Sequence, residues 1–348
     1  MQRPPKEPAT NNPFDLPEDR LATTTEEGKR VYLYPARVKG WFRQRRSWVY
    51  RILMLIFLGL PWVKIQGDPV ILLDVVHRKF VLFGTTFWAH EAPILVLVFL
   101  TFILAISLVT ALWGRVWCGW ACPQTVFIDT VFRPIEEFLE GNGLARKRFD
   151  SRPFSMRKLG IKTLKWGLFT AASLVITHSF LAYFVGADSV LQMIQGSPKE
   201  NFGSFLVVLI STAIILFDFG WFREQFCIIA CPYGRFQSVI MDEHSLVVGY
   251  DYKRGEPRKK DRKDETATGD CINCYRCVQV CPTGIDIRRG TQMECIACTA
   301  CIDACDHVMR RLEKPTGLIR MGSENSFHHK VTHFWRLRAW IYLSLLSI

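Results

Sequence analysis

The first 35 residues lack an apolar run, and polar residues and proline make up much of this segment. A secretory signal peptide needs an apolar stretch of about 7–15 residues, so we expect none here and interpret residues 1–47 as a cytoplasmic N-terminal tail. Without export, the twelve cysteines do not predict the disulfide framework of a small secreted protein. Their spacing therefore has to be explained by other chemistry.

Three long windows lack charged side chains altogether: residues 92–114, 166–187 and 201–217, of 23, 22 and 17 residues. At about 1.5 Å per helical residue, each comes close to or exceeds the roughly 30 Å core of a bilayer. A shorter apolar window, 52–63, precedes them, and the 15 residues at 334–348 are interpreted as a fifth span cut short. We predict a polytopic α-helical membrane protein with about five transmembrane helices, the last one truncated.

Acidic residues are also missing between residues 36 and 51, a segment that holds six Lys and Arg. By the positive-inside rule this segment is cytoplasmic, and the later basic loops alternate with it. The Lys and Arg residues of the cytoplasmic loops thereby account for the net charge of +12. We expect the lipid bilayer as a partner and no nucleic acid.

The alternation of apolar and basic segments divides the chain into six parts. One apolar run, 70–88, is broken by charges and glycine, and we interpret it as a hairpin or a short helix on the outer surface. The parts are the tail (1–47), transmembrane helices 1 and 2 with a periplasmic loop (48–113), a cytoplasmic loop (114–165), transmembrane helices 3 and 4 (166–222), a cytoplasmic region (223–333) and the start of helix 5 (334–348).

Eight cysteines form two runs of identical spacing, C-x2-C-x2-C-x3-C, at residues 271–281 and 295–305. Such runs are typical of bacterial ferredoxins, in which the fourth cysteine of each run binds the cluster of the other run. We therefore predict a bacterial-ferredoxin-like α+β domain at about residues 269–314 that binds two [4Fe-4S] clusters. The first ferredoxin quartet is Cys271, Cys274, Cys277 and Cys305, and the second ferredoxin quartet is Cys281, Cys295, Cys298 and Cys301.

Structural zinc is the alternative for such cysteines. A zinc site needs about four ligands, however, and does not explain eight cysteines in two identical runs. One departure from the ferredoxin pattern is present, because Pro282 follows the first run whereas Asp306 follows the second. We expect Cys305 to remain a cluster ligand despite this change. The aspartate bears on the reduction potential of the cluster near Cys305.

The other four cysteines belong to an internal repeat, WCGWACPQTVF at 117–127 and FCIIACPYGRF at 226–236. If each pair is helical, its β-carbons lie about 5–6 Å apart, which suits ligands better than a disulfide. A soft metal such as Cu(I), an iron-sulfur centre and paired redox thiols are the functional interpretations, and helix packing is the structural alternative. We call Cys118, Cys122, Cys227 and Cys231 the paired cysteines.

These residues make the sequence similar to the CcoG family, also called FixG or RdxA. The string GRVWCGWACPQTVF, the second C-x3-C-P pair and the two ferredoxin runs occur in that order between the same spans. The resemblance implies a multi-pass protein of the bacterial inner membrane, with its N-terminus and ferredoxin domain in the cytoplasm. Related chains continue past the fifth span into a periplasmic C-terminal domain, which is absent here.

The resemblance also implies a function, namely reduction of Cu(II) to Cu(I) for assembly of cbb3-type cytochrome c oxidase. The chain would then be a cupric reductase, with copper as substrate or transient ligand at the paired cysteines. The implied partners are copper chaperones, oxidase subunits and assembly factors, and an electron donor of unknown identity; a homodimer is left open. The expected electron route runs from the donor through the ferredoxin quartets and the paired cysteines to copper. It suits the residues, because thiolates prefer Cu(I).

Two other functions remain open from the sequence. The wider group with C-x3-C-P pairs resembles NapH and NosR, which implies a quinol-linked electron-transfer subunit. The second is a non-enzymatic assembly scaffold that responds to redox state. His178 and Asp218 lie in or near the spans and are either functional or hydrogen-bonded within the bundle. His328, His329 and His333 are interpreted as a solvated cluster.

Overall fold

The computed structural model describes residues 23–347, except for 26, 28, 66, 76, 89–91, 200, 259–267, 329 and 334–335. Residues 1–22 of the predicted tail therefore lie outside the described residues. So do the basic residues of 259–263, His329 and the first two residues of the predicted fifth span. The described part combines long helices, two small sheets that follow the first helix, and a ferredoxin-like unit.

The first helix, α1 (Trp41–Gly59), begins ahead of the predicted start of the first transmembrane part at Trp48. A single tight turn, Leu60–Trp62, follows it. The helix carries four arginines, and it is not among the described helices that are long and apolar enough to cross a membrane. The predicted first span therefore stays a prediction.

Residues 64–88 fold into antiparallel strands. The segment predicted at 70–88 is therefore a hairpin structure, and the alternative of a short surface helix is wrong. Ile71 pairs with Leu82 across the larger sheet, and the side chain of Val81 is fully buried. The strands are β1 (Lys64–Ile65), paired with β2 (Asp68–Pro69), and β3 (Ile71–Asp74), β4 (Lys79–Leu82) and β5 (Thr85–Trp88), which form a three-stranded sheet in that order.

Helix α2 (Ala92–Trp113) leads into a series of short helices that carries the first two paired cysteines. Pro123 starts one of them, because proline has no N–H to leave unpaired and suits the first helical turn. The backbone then widens into a π-helical segment, Ile128–Phe132, before the next helix. The short helices are α3 (Val116–Trp120), α4 (Pro123–Phe127), α5 (Arg133–Glu140) and α6 (Gly143–Ser151).

The longest helix, α7 (Met156–Val185), has 30 residues and is followed by α8 (Ala187–Gln195) and α9 (Phe202–Phe217). Three described helical segments are long and apolar enough to cross a membrane: α7, Val96–Trp113 of α2, and α9 with its continuation to Phe222. They coincide with the second, third and fourth predicted spans. A count above three stays a prediction.

The last third of the chain forms the ferredoxin-like unit. Strand β6 (Leu246–Tyr250) pairs antiparallel with β7 (Ile319–Ser323), and both lie outside the predicted domain of about 269–314. Their residues Val248 and Ile319 are buried in one core with Cys271 and Cys277, so the folded unit is larger than the cysteine runs. The other helices are α10 (Pro232–Ile240), α11 (Tyr252–Gly255), α12 (Arg276–Gln279), α13 (Ala300–Arg311), α14 (Glu324–Phe327) and α15 (Leu337–Ser347).

Helix α1 fixes the ferredoxin-like unit to the helical part. The backbone amides of Phe42 and Arg43 donate hydrogen bonds of 3.2 and 2.7 Å to the carboxylate of Asp303 in α13. A carboxylate in this position satisfies the free N–H groups at the start of a helix. Gly40 has no room for a side chain, because Asp303 occupies that space. This contact explains why α1 begins ahead of the predicted apolar span.

Buried charged side chains pack beside the short helices that carry the paired cysteines. Asp129 accepts a 2.7 Å hydrogen bond from Arg46, and Glu136 accepts two from Arg223, of 2.6 and 2.9 Å. Burial alone would raise the pKa of Asp129, but the guanidinium of Arg133 and then that of Arg46 lower it to about 2. The pKa of Glu136 is lowered to about 2 in the same way, chiefly by Arg223. Both carboxylates therefore stay ionised at neutral pH.

Candidate iron-sulfur and paired-cysteine site

The first ferredoxin quartet lines one cavity. Tyr250, Leu318 and Ile319 form its apolar wall, so strands β6 and β7 close the side that the cysteine loops leave open. The guanidinium of Arg288 lies 4.2 Å from the ring centre of Tyr275, which also lines this cavity. The cavity thus combines four thiols with a largely apolar wall.

The second ferredoxin quartet lines a neighbouring cavity. Its wall includes Val248, Ile285 and Ile296. Cys277 borders both cavities, which are therefore adjacent. The fourth cysteine of each run lines the cavity of the other run, because Cys305 lies in the first cavity and Cys281 in the second.

The two cysteine runs share an unusual backbone conformation. Asn273 and Tyr275, which flank Cys274, have φ angles of 53° and 55°, and Ala297 and Thr299, which flank Cys298, have 51° and 61°. Residues other than glycine seldom adopt this left-handed region, and such strain is commonly found at functional sites. The repeated pair of left-handed residues turns each run around its cavity. Sequence reasoning did not find these positions, because none of the four is a glycine.

Burial favours the protonated form of five ferredoxin thiols when they stand alone. It raises the pKa of Cys281 to about 11 and the pKa values of Cys295 and Cys305 to about 12. The pKa values of Cys277 and Cys301 are raised as well, again by burial first. A bound metal cation supplies the positive charge that stabilises buried thiolates. These cavities therefore suit a metal centre better than free thiols.

The cavity inside each ferredoxin quartet favours a cluster over a single ion. Within the part of the chain that the structure describes, no three His, Cys, Asp or Glu side chains form a group that could hold one metal ion. Tetrahedral zinc would draw its ligands to Zn–S distances of about 2.3 Å. Each quartet instead surrounds a cavity, as the ligands of a polynuclear iron-sulfur cluster do. The residues present fit two [4Fe-4S] clusters.

The two motifs of paired cysteines have matching backbones. Cys122 and Cys231 each precede the proline that starts a helix, with φ and ψ of −61° and 127° at Cys122 and −71° and 112° at Cys231. The amide of Cys122 donates to the carbonyl oxygen of Trp117 at 2.9 Å, and that of Cys231 to Phe226 at 2.8 Å. The sequence analysis considered each pair on a single helix. In the structure, neither pair lies on one continuous helix. A residue before proline avoids the helical conformation, which explains the break.

The four paired cysteines lie close enough together to affect one another's ionisation. The four thiols are close enough for the negative charge of one thiolate to disfavour ionisation of another. This repulsion is present in all six pairs of the four thiols. Burial, followed by the charge of Cys122, raises the pKa of Cys118 to about 12. Burial also raises the pKa values of Cys122 and Cys227. Cys118, Cys122 and Cys227 thus favour the neutral form in the absence of a positive partner.

This site lies against the loop of the second ferredoxin quartet. A methyl group built on Gly119 would overlap the backbone of Ile296 and Ala297, between Cys295 and Cys298. Arg115 donates hydrogen bonds to the carbonyl oxygens of Met293 and Gly234, the latter at 2.6 Å. The backbone that carries Cys118 therefore touches the backbone that carries the second ferredoxin quartet.

Two side chains that the sequence analysis did not single out complete the site. The thiol of Cys118 lies 3.3 Å from Oε1 of Gln237, whose side chain is fully buried. The hydroxyl of Thr125 donates a 2.7 Å hydrogen bond to the carbonyl oxygen of Cys118. Gln237 comes six positions after Cys231, where the first motif has Ile128. Both positions lie directly after the repeated motif, so no motif marks Gln237 in the sequence.

The ionisable residues of the spans have local partners. Nδ1 of His178 lies 2.7 Å from the carbonyl oxygen of Leu174 in its own helix, and Asp218 accepts a 3.1 Å hydrogen bond from Gln124. His333 donates its amide to Nδ1 of His244 at 3.3 Å. These contacts match the interpretation of hydrogen-bonded bundle residues for His178 and Asp218.

Comparison with protein families identifies two matching regions. Residues 222–324 match the family described as a 4Fe-4S dicluster domain, and residues 95–150 match the family described as a 4Fe-4S binding domain. The first region contains both ferredoxin quartets together with Cys227 and Cys231. The second contains Cys118 and Cys122. The chain therefore binds iron-sulfur clusters.

Protein RdxA of Cereibacter sphaeroides is 38% identical over 295 residues, which are 83% of this chain and 62% of that protein. Nitrogen fixation protein FixG of Rhizobium meliloti is 37% identical over 304 residues, 84% of this chain and 57% of that protein. Protein RdxB of C. sphaeroides is 37% identical over 344 residues, 93% of this chain and 71% of that protein.

The chain spans less than two thirds of the length of RdxA and of FixG. No solved structure matches it. Its cluster-binding families and three apolar helices make it an iron-sulfur electron-transfer protein of a membrane. Its identity to these three relatives over most of its length shows that the chain belongs to the FixG/RdxA/CcoG family.

Proposed function

We propose that this protein reduces Cu(II) to Cu(I) for the assembly of cbb3-type cytochrome c oxidase. In this proposal, electrons pass from the ferredoxin quartets to the paired cysteines and then to copper. One observation carries the proposal: Gly119, next to Cys118, lies directly against the loop between Cys295 and Cys298. The contact supports a short route between the two sites, with no other part of the described chain between them.

The ferredoxin quartets are proposed as the ligands of two [4Fe-4S] clusters. When bound, such a cluster accepts and releases single electrons. The first ferredoxin quartet lies with Tyr250 and Leu318, away from the paired cysteines, whereas the second lies beside them. We therefore assign the first quartet to electron entry and the second to electron exit.

The sulfur ligands of the paired cysteines favour the product of the reaction. Cu(II) prefers nitrogen and oxygen ligands, whereas Cu(I) prefers thiolate sulfur. Each Cu(II) ion takes up one electron and becomes Cu(I), and the electron comes from a one-electron donor on the ferredoxin side. Copper is a substrate here, so no permanent copper centre is needed for turnover.

The proposed setting follows from the charge pattern and the family. We assign the protein to the inner membrane of a bacterium, with its N-terminus and ferredoxin-like unit in the cytoplasm, because the segment at 36–51 is rich in Lys and Arg. Copper chaperones, subunits of the oxidase and its assembly factors are the proposed partners. We also propose that the six parts defined in the sequence analysis, from the tail at 1–47 to the start of helix 5 at 334–348, are the topological segments of the protein.

An anaerobic copper assay tests the function. Cu(II) is added to reduced, cluster-replete protein in detergent, and Cu(I) is followed with a colorimetric chelator. We expect reduction by the wild type, and at least a tenfold slower rate, about 1.4 kcal/mol in activation free energy, after Cys→Ser at all four paired cysteines. The variant must retain the ferredoxin absorbance, which controls for folding. Equal rates in both proteins contradict the proposal, and quinol oxidation without copper dependence favours the quinol-linked subunit.

A further inference from the structure

The cavity of the first ferredoxin quartet reaches the protein surface at α12. Cys271 and Cys277 are buried, whereas Cys274 and Cys305 are only partly buried. Arg276, two positions after Cys274, lines this cavity and has an exposed side chain. The wall of the cavity thus includes a positively charged side chain that also faces solvent.

The end of α13 places more positive charge beside the same cavity. Val308 and Met309 line the cavity, and Arg310 and Arg311 follow them directly with exposed side chains. Arg311 comes three residues after Val308, and residues at this spacing lie on one face of a helix. The next residue, Leu312, is 40% exposed. The residues that we call the entry surface are Arg276, Arg310, Arg311 and Leu312.

The arginines of the entry surface are not neutralised by acids in the described part of the chain. Arg276 donates a 3.4 Å hydrogen bond to Oε1 of Gln279, which is a neutral amide. Neither Arg310 nor Arg311 forms an ion pair with a described residue. Glu313 follows them as an exposed acid, and its single charge leaves the entry surface net positive.

Two other acidic side chains adjoin cysteines of the first ferredoxin quartet in sequence, and both are already bonded within the chain. Asp270 forms ion pairs of 2.6 Å with Arg254 and 3.0 Å with Lys314. Asp306 accepts a 2.9 Å hydrogen bond from the backbone amide of Gly317. The arginines of the entry surface are therefore available to carboxylates of another molecule.

We propose that the entry surface docks a soluble acidic ferredoxin, which delivers electrons to the first ferredoxin quartet. The inference rests on the proposed function, in which electrons enter at this quartet. Arginines from two helices around an exposed leucine give a charged rim and an apolar centre, as protein interfaces have. One electron is transferred: the [2Fe-2S] cluster of the partner is oxidised by one electron, one [4Fe-4S] cluster is reduced by one, and no bond is made or broken.

A small number of charges is enough for such a partner. Electron-transfer encounters are weak and bury less than about 1,200 Å² of surface. Opposite charges then act mainly on the rate of association, which they raise by about 10- to 1,000-fold and which falls with ionic strength. Arg276, Arg310 and Arg311 supply this attraction beside the cavity through which the electron enters.

Binding and cluster reduction at two ionic strengths test the entry surface. The full, cluster-replete chain in detergent is titrated with an oxidised, acidic [2Fe-2S] ferredoxin in a calorimeter. Reduction of its clusters by the reduced ferredoxin, freed of dithionite, is followed by stopped-flow absorbance. We expect weaker binding and slower reduction at about 1 M than at about 0.01 M salt, because the Debye length shrinks from about 30 to about 3 Å.

Charge reversal locates the docking site. Arg310→Glu with Arg311→Glu should slow the reduction about tenfold or more at low salt. Arg276→Gln should slow it less, because it removes one charge without reversing it. The matched control is Lys147→Glu with Arg148→Glu in α6, where two exposed basic residues undergo the same change of charge. This control should react like the wild type.

A cationic reductant shows whether the clusters of each variant are intact. Reduced methyl viologen is positively charged, so it should reduce the arginine variants no more slowly than the wild type. Equal slowing of the ferredoxin reaction in the arginine variant and in the α6 control would overturn the proposal. So would a wild-type rate that does not depend on salt, or a wild type that neither binds the ferredoxin nor is reduced by it.

The entry surface and the cupric reductase fail separately, because cluster reduction is measured without copper. Salt-dependent reduction that requires Arg310 and Arg311, in a chain that does not reduce copper, keeps the entry surface and removes the cupric reductase. Copper reduction with a chemical reductant, together with equal ferredoxin rates in the arginine variant and the control, keeps the cupric reductase and removes the entry surface.

Discussion

Gly119 lies directly against the main-chain carbonyl of Ile296, with no space for a side chain between them. The first residue follows Cys118, and the second lies between Cys295 and Cys298, so the contact joins two cysteine-bearing segments that are far apart in sequence. Tyr50 reinforces it by donating a 2.5 Å hydrogen bond to the carbonyl oxygen of Gly119. The closeness of these backbones is what makes a short electron route available.

Gly119→Ala should weaken this contact. Alanine is normally favoured over glycine in a helix by about 1 kcal/mol, but here its methyl group overlaps Ile296, and the cysteine loop has to move. We expect a lower thermal midpoint and a slower copper reduction than in the wild type. Gly167→Ala in α7 is the control, because no atom lies within 4 Å of its added methyl group. A Gly119 variant as stable and as fast as this control would show that the contact is unimportant.

Asp303→Ala should loosen the attachment of the ferredoxin-like unit to α1. The change removes the acceptor for the amides of Phe42 and Arg43. Loss of such a helix cap costs about 1–2 kcal/mol, which a denaturant titration in detergent would measure. Asp303→Asn keeps one acceptor oxygen and should cost less. Equal stabilities of the alanine variant and the wild type would contradict the capping role.

Glu136→Gln should be among the most destabilising single changes in the membrane-side helices. Glu136 is 1% exposed and faces Arg146, Lys165 and Arg223. The substitution would leave the buried charges of Arg146 and Arg223 without this carboxylate, whereas Lys165 keeps its 2.9 Å ion pair with Glu140. Breaking a buried ion pair typically costs about 3–5 kcal/mol. Glu137→Gln is the matched control: Glu137 is partly exposed and 3.5 Å from Arg37, and surface pairs contribute about 0–1 kcal/mol. Similar unfolding midpoints for both variants would refute the difference.

Stability should fall on acidification, in a window set by Asp129 and Glu136. Arginine partners lower both pKa values to about 2, from ordinary values of 3.8 and 4.5. A carboxylate with a lowered pKa stabilises the folded state above its unfolded pKa, and this contribution is lost as the pH falls through its folded pKa. We therefore expect the free energy of unfolding to decrease from about pH 5 towards pH 2. A thermal midpoint that stays constant over this range would count against the buried pairs.

Single substitutions of the fourth cysteines should remove opposite clusters. Cys305 lines the cavity of Cys271, Cys274 and Cys277, whereas Cys281 lines the other cavity. Cys305→Ser should therefore change the spectrum of the first ferredoxin quartet, and Cys281→Ser that of the second. Electron paramagnetic resonance of the reduced variants, with iron analysis, distinguishes them. If each serine instead affected the cluster of its own run, the assigned ligand sets would be wrong.

Features that depend on local spacing could be predicted from the sequence. Uncharged windows located α2, α7 and α9, because the length and polarity of a segment decide whether it can cross a bilayer. The spacing of the ferredoxin cysteines indicated which thiols belong together, and the structure places those sets around two cavities. Ligation itself stays a prediction. A new helix begins at the proline after each pair of paired cysteines, a position that suits a residue without an N–H donor.

Features that depend on distant residues could not be predicted in this way. The start of α1 is set by Asp303, some 260 positions away along the chain. Gln237 belongs to no motif, and its position beside Cys118 results from the packing of the two repeats. The strands at both ends of the ferredoxin-like unit carry no cysteine. Their role becomes visible when Val248 and Ile319 are seen in the core with Cys271.

Arg46 binds the two halves of the molecule at once, with hydrogen bonds to the carbonyl oxygen of Cys298 and to the carboxylate of Asp129. A soluble ferredoxin carries charge by diffusing between its partners. This carrier is anchored at its own cluster loop and does not travel. Electron transfer between the cluster loop and the helical part therefore needs no swing of a tethered domain.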